Sequence, residues 1–186
     1  MKAVFLDRDG TINVEMPDYL TDLKKLRIIQ SAYKAIGLLN QYRFKTIIVT
    51  NQSCVRRGLL EEKELHRIHE KLEKRLALQG ARLDSIYYCP HIPDDGCDCR
   101  KPKTGLLKRA VADHGIDLKK SFLVGDRFFD IDTGKRGGCK TVLVLTGAGE
   151  KTWADLKTKS IQEQPDHIAT DILQAAQWII QQPHAV

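Results

Sequence analysis

The chain contains no apolar run approaching the roughly 18 residues that a membrane-spanning helix requires, so no helical span is expected. Aromatic residues make up only 6%, with two tryptophans, and they form no stripe interleaved with basic residues. A stacking platform for single-stranded nucleic acid is thereby disfavoured. No Gly-x-x-x-x-Gly-Lys-Ser/Thr occurs, which excludes a P-loop nucleotide-binding reading. Internal repeats, low-complexity tracts and obvious linkers are also missing, so residues 1–186 are expected to form one domain. Asp7 interrupts the first apolar run too early for a secretory signal. A cytoplasmic location is therefore expected, where thiols stay reduced. Three of the five cysteines fall between positions 89 and 99, and under those conditions they point to metal rather than to disulfides.

What the chain does have is a modest basic excess, 30 Lys and Arg against 24 Asp and Glu, for a formal charge of +6. That favours anionic partners, whether phosphorylated metabolites or nucleic acid. Part of the excess lies in Glu61–Arg75, where both signs mix as on a solvated helix face. Short β-type runs recur at Val4–Leu6, Thr46–Thr50, Ser85–Cys89, Phe122–Val124 and Thr141–Leu145. Leu65, Ile68, Leu72 and Leu76 recur at helical spacing and Gly80 follows as a stop. Thr104 can cap a helix carrying Leu106, Leu107, Ala110 and Val111, which ends before Gly115. Ala32–Tyr42 and Asp171–Ile180 make two more helices. This alternation predicts an α/β fold, a three-layer Rossmann-like parallel sheet. Val14–Leu23 and Pro90–Lys103 stay irregular, and both follow strands.

Four polar signals stand at the ends of four strands. Asp7 and Asp9 follow the first, Thr50-Asn51-Gln52-Ser53 the second, and Cys89 opens a loop leading to Arg100-Lys101-Pro102 after the third. Gly125-Asp126, with Asp130 four residues on, follows the fourth. Strands of one parallel sheet carry such groups to a common edge, where ligands bind. Two carboxylates one residue apart repel by several kcal/mol at intermediate dielectric, roughly 332/(εr). A bound cation or a shared proton is the usual remedy.

These motifs, Asp7-Arg8-Asp9-Gly10-Thr11, Thr50, Lys101 and Gly125-Asp126-Arg127-Phe128-Phe129-Asp130, occur in order and resemble the haloacid dehalogenase superfamily of phosphohydrolases. The resemblance implies catalytic Asp7, Asp9, Thr50 and Lys101. Asp7 is the expected nucleophile, giving an aspartyl phosphate, and Asp9 the general acid and base. Thr50 and Lys101 would neutralise phosphoryl oxygens. Mg²⁺ is expected on Asp7, the main-chain carbonyl of Asp9, and Asp126. Asp130 is expected to orient Lys101 or the metal shell. Asp126 could also cap a helix.

Cys89-x-His91 and Cys97-x-Cys99 supply three thiols and an imidazole within eleven residues. Four soft ligands fit tetrahedral Zn²⁺ with no open position, a structural zinc loop over residues 89–99 that would steady Arg100 and Lys101.

Within the superfamily the resemblance narrows to the D-glycero-D-manno-heptose 1,7-bisphosphate phosphatases. It rests on Phe5–Asn13, Thr50–Ser53 with Arg57-Gly58, Tyr88-Cys89-Pro90-His91, Cys97–Pro102 and Thr146-Gly147. It implies removal of the C7 phosphate in heptose biosynthesis, a phosphorylated sugar as partner, a monomer, and no large cap domain. Substrate-binding residues are then Arg8, Asn51, Gln52, Ser53, Arg57 and Arg100. The Glu15–Tyr19 loop is expected near the sugar or distal phosphate. Histidinol-phosphate phosphatases share the paired aspartates and a similar zinc loop. A polynucleotide 3′-phosphatase and a non-catalytic zinc-dependent interaction protein are the remaining alternatives. Cys54 stands where the family commonly has Gly, so a positive φ there would carry strain of about 1 kcal/mol. Otherwise Cys54 and Cys139 are expected to be small buried residues.

Overall fold

Six strands form one wholly parallel sheet: β1 (Ala3–Leu6), β2 (Lys45–Asn51), β3 (Ser85–Cys89), β4 (Phe122–Gly125), β5 (Lys140–Val144) and β6 (His167–Ala169). Their spatial order is β3-β2-β1-β4-β5-β6. The computed structural model describes residues 1–160 and 163–183; residues 161, 162 and 184–186 of the expected 1–186 domain lie outside these. The helices are α1 (Gln30–Gln41), α2 (Glu62–Ala77), α3 (Gly105–His114), α4 (Phe128–Gly137), α5 (Gly149–Leu156) and α6 (Ile172–Ile180).

The three layers follow from the two faces of each central strand. All of β1 is buried, and its side chains alternate between two cores. Val4 and Leu6 meet Ile36 and Leu39 of α1, Leu65 and Leu72 of α2, and Ile179 of α6. Ala3 and Phe5 meet Leu106, Leu107 and Ala110 of α3. Leu143 of β5 joins Ile131 of α4 and Leu156 of α5. Each such leucine contributes roughly 1.5–3 kcal/mol on burial. A strand with apolar residues on both faces belongs in the middle of a covered sheet, and β1 takes that place.

The expected strands stand at their sites within a residue or so, and α2 carries its four apolar residues buried before Gly80 at φ +74°. Thr104 does occupy the cap position of α3, but its side chain makes no capping bond. Gly115 ends that helix in the left-handed conformation. Between β1 and α1 lie two isolated bridges and one short 3₁₀ turn, Leu23–Lys25, so no cap domain interrupts the sheet edge. Cys54 and Cys139 are buried as expected. Among the described residues Arg43 is the one non-glycine at positive φ, so Cys54 carries no such strain.

Candidate active site

The order of strands reverses between β1 and β4, and ligands of open α/β sheets bind beyond the strand ends at such a point. Asp7 leaves β1 there, its N–H donating to the Val124 carbonyl at 2.9 Å, and Asp126 leaves β4 beside it. Two glycines make room for Asp126. Gly10, at φ +80°, and Gly147, at φ +57°, each lie so close that an added Cβ would collide with the Asp126 carboxylate.

Lys101 crosses from the loop after β3 into this acidic edge and is 2% exposed. Its ammonium donates to Asp7 Oδ1 at 2.7 Å, to Asp130 Oδ1 at 2.5 Å and to the Val49 carbonyl at 2.8 Å. Burial alone would strip its proton, but Asp130 and Asp7 reverse that and hold the lysine charged. Asp130 is used up: its second oxygen accepts from the Arg127 N–H at 3.0 Å, which also begins α4. Asp126 is not. Its Oδ2 accepts from the Ala148 N–H at 2.7 Å, while its Oδ1 is buried without a hydrogen-bond partner. Burial, followed by the nearby Asp7 and Asp130 charges, pushes the Asp126 carboxyl up to about 8. Burial likewise pushes Asp130 up to about 6, against the pull of Lys101.

Carboxylate oxygens of Asp7, Asp126 and Asp130 lie within 4.8 Å of one another, close enough to share an ion. The orphaned Asp126 oxygen and the second Asp7 oxygen fit a hard divalent cation. Asp130 spends both oxygens on Lys101 and the backbone, the contacts expected of a group that orients Lys101.

Asp9 is held differently. Arg8 donates to its Oδ2 from Nε at 3.1 Å and Nη2 at 2.7 Å; Gln52 Nε2 donates to the same oxygen at 2.9 Å. Asn13 donates to Oδ1 at 2.9 Å. Burial pushes the Asp9 carboxyl up, but the Arg8 charge and these donors outweigh it and hold it below the usual carboxylate range. Arg8 itself is wholly buried and Gln52 is 2% exposed, and both stand behind Asp9 rather than in the cavity. Both were expected among the substrate-binding residues; the structure places them against Asp9, outside the cavity lining. Arg57 is exposed and also lies outside the cavity lining.

The cavity itself measures about 470 Å³, and Asp7, Asp9, Thr50, Asn51, Ser53 and Arg100 are among the residues that line it. Asn51 also clamps the lysine backbone, accepting from the Lys101 N–H at 3.0 Å and donating to its carbonyl at 3.2 Å. Ser53 shares a 3.3 Å contact with the Tyr19 hydroxyl, which brings the Glu15–Tyr19 loop over the cavity. Three further wall residues, Leu20, Arg127 and Phe129, were not assigned from the sequence. Arg127 forms an ion pair with Glu15 across the mouth, joining the loop after β1 to the start of α4. Its signal was present, since a basic residue directly after Asp126 must sit at the same edge.

Behind Arg100 lies the thiol cluster. Cys89, His91, Cys97 and Cys99 put one ligand atom each within 4.8 Å of the others. Cys89 Sγ stands 3.2 Å from Cys99 Sγ, 3.7 Å from Cys97 Sγ and 3.6 Å from His91 Nδ1. A tetrahedron with arms of about 2.3 Å has edges of about 3.8 Å, so the four atoms nearly trace such a site. Arg100 donates to the His91 carbonyl at 2.9 Å, fastening the cluster to the cavity wall.

A switch point where carboxylates crowd around one buried lysine and a cation-sized gap is the work of a phosphoryl-transfer hydrolase of the haloacid dehalogenase class. A HAD-hydrolase-like family model matches residues 98–175. The chain is 41% identical over 149 residues to the D-glycero-beta-D-manno-heptose-1,7-bisphosphate 7-phosphatase of Pseudomonas aeruginosa, covering 80% of this chain and 84% of that one. It is 37% identical to the D-glycero-D-manno-heptose-1,7-bisphosphate 7-phosphatase of Thermosynechococcus vestitus, over 95% of this chain and 94% of that one. The crystal structure of D,D-heptose 1,7-bisphosphate phosphatase from B. bronchiseptica, complexed with magnesium and phosphate, superimposes with a TM-score of 0.90 at 33% identity. That match covers 97% of this chain and 99% of the other. The chain belongs to the D-glycero-D-manno-heptose-1,7-bisphosphate 7-phosphatase family.

Proposed function

We propose that this chain is a Mg²⁺-dependent phosphatase that removes the C7 phosphate of D-glycero-D-manno-heptose 1,7-bisphosphate, leaving heptose 1-phosphate. The observation that carries the reading is the convergence of Asp7, Lys101 and Asp126 at the β1/β4 switch point, in a chain with relatives of that activity. In this mechanism the free oxygen of Asp7 attacks phosphorus, the ester P–O bond breaks toward the sugar oxygen, and an aspartyl phosphate forms. Asp9 protonates the departing oxygen, then takes a proton from the water that hydrolyses the acyl phosphate. Lys101 and Thr50 neutralise the phosphoryl oxygens, and Asp130 keeps Lys101 aimed. Mg²⁺ held by Asp7, Asp126 and the Asp9 carbonyl would supply further positive charge there. Asn51, Ser53 and Arg100, with Arg127 and the Glu15–Tyr19 loop, form the wall that meets the sugar and its second phosphate. Cys89, His91, Cys97 and Cys99 would hold a structural Zn²⁺, which would steady the loop whose His91 carbonyl binds Arg100. Residues 1–186 act as one catalytic domain. Among the described residues no helix is long and apolar enough to cross a membrane.

The deciding experiment is phosphate release from both anomers of the heptose bisphosphate and from histidinol phosphate, with Mg²⁺ present. One anomer is expected to exceed histidinol phosphate by about 100-fold or more in kcat/KM, a margin well inside the roughly 10⁴-fold that hydrogen-bonding sites can reach. A wide margin for histidinol phosphate would remove the heptose assignment.

A further inference from the structure

Arg8 is a costly residue to place where it is. It follows a fully buried strand, has no exposed surface and stands outside the cavity lining. Yet all three guanidinium nitrogens are engaged. Nε and Nη2 hold Asp9 Oδ2, Nη2 also donates to Gln52 Oε1 at 2.9 Å, and Nη1 lies 3.1 Å from His69 Nε2. His69 belongs to the apolar face of α2, flanked by Leu65, Ile68 and Leu72, and is 6% exposed. Its ring also packs 5.7 Å from that of Tyr88. Arg8 has donors only, so Nε2 must be the acceptor and the imidazole must be neutral. Burial and then the Arg8 charge keep it so, lowering His69 to about 3.

We propose that His69 is a positioning residue: by accepting from Arg8 it fixes the guanidinium fork that aims the Asp9 carboxyl at the leaving-group oxygen. The chain of contact runs from α2 to Arg8 to Asp9 without touching the attacking Asp7, while a side branch leaves Arg8 through Gln52, whose Nε2 donates to Thr50 Oγ1 at 3.0 Å. The fork binds the ionised carboxylate, which is the form Asp9 takes once its proton has passed to the departing oxygen and the P–O electron pair has gone with that oxygen. Water then returns a proton to the same carboxylate. This inference rests on the phosphatase reading above, and it makes a narrower claim: His69 serves the two proton transfers of Asp9 and not the attack of Asp7.

The test separates leaving groups. His69→Leu and His69→Met remove the acceptor while filling the space, and His69→Gln keeps an acceptor through its side-chain oxygen. For a sugar phosphate, whose alkoxide cannot depart without a proton, kcat/KM is expected to fall about 10- to 100-fold in the Leu and Met variants. With p-nitrophenyl phosphate, whose phenolate departs unprotonated, kcat/KM, which reports only the steps up to leaving-group departure, should stay within about twofold. His69→Gln should restore sugar-phosphate turnover to within about threefold. Equal losses on both substrates, no loss on either, or failure of His69→Gln to rescue would overturn the assignment. Wild-type protein inert toward both substrates would instead defeat the phosphatase reading itself. Either apolar variant suffices should the other fail to fold.

Discussion

Two clusters of metal-ligating side chains meet at the cavity, and they are built in opposite ways. The acidic one draws Asp7, Asp126 and Asp130 from elements more than a hundred positions apart, and the sheet order β3-β2-β1-β4-β5-β6 brings them together. The thiol one draws Cys89, His91, Cys97 and Cys99 from eleven consecutive positions, and the sheet contributes only the end of β3. The first is crowded with like charge that the fold holds in place through buried strands. The second has little secondary structure around it beyond the 3₁₀ turn Pro93–Asp95, so its ligands would gain their order from the metal they bind. Arg100 and Lys101 join the two. Arg100 hangs on the His91 carbonyl, while Asn51 grips the Lys101 backbone from β2. A topological site should therefore lose chemistry when a group is changed and keep its fold. A loop site should pass its damage along the chain to Arg100 and Lys101.

The sharpest break of this comparison is Asp7→Asn. An amide cannot attack phosphorus, so phosphate release is expected to fall by a factor of about 10³ or more, with circular dichroism and the melting temperature essentially retained. Near wild-type turnover would show that another group attacks. Next in size is the loop. Cys97→Ser, or chelation of the loop's metal, should lower kcat/KM by about tenfold or more through loss of Arg100 and Lys101 placement. The melting temperature should drop by only a few degrees, because Lys101 keeps its Asn51 clamp and its two carboxylates. Parallel loss of activity and of global folding would erase the distinction between the two clusters.

How far each cluster was legible in the sequence follows the same contrast. The thiol ligands could be taken straight from their spacing, since the site is local. The acidic ligands needed the parallel sheet first, and the sheet was legible because β1, β2, β4 and β5 are apolar on both faces and short. Three elements escaped. β6 has three residues, α4 has weak apolar periodicity and a glycine-rich C-terminal end, and α5 is only eight residues long and begins at a glycine. Side-chain direction escaped as well. Arg8 and Gln52 sit between recognised motif residues, and no spacing rule tells that they turn inward to hold Asp9 while Asn51 and Ser53 turn to the cavity. Arg127 was hidden by the reverse: its motif was recognised, but only its acidic members were assigned work.

The smallest effect tests the charge crowding of the acidic cluster through stability. Asp126 titrates near 8 in the folded, metal-free protein, against an ordinary value of 3.8, because of burial and then Asp7 and Asp130. A carboxyl raised in this way contributes stability that is full below about pH 4 and is lost as pH rises toward 8, since the unfolded chain gives up that proton first. His69, lowered to about 3, acts in the opposite sense, its contribution falling as pH drops from 6.5 toward 3. The two oppose each other below 6.5, and Asp130 has finished most of its titration by then. The window from pH 6.5 to 8 therefore isolates Asp126. Urea unfolding of metal-free protein should show stability declining across that window by about 1–2 kcal/mol. In Asp126→Asn the decline should vanish, leaving the variant more stable than wild type at pH 8 though inactive, the trade expected where an active site stores repulsion. Mg²⁺ should restore the wild type at pH 8 and leave the variant unmoved. A flat wild-type profile, or equal stabilisation of both proteins by Mg²⁺, would mean that Asp126 neither stores the repulsion nor holds the ion that relieves it.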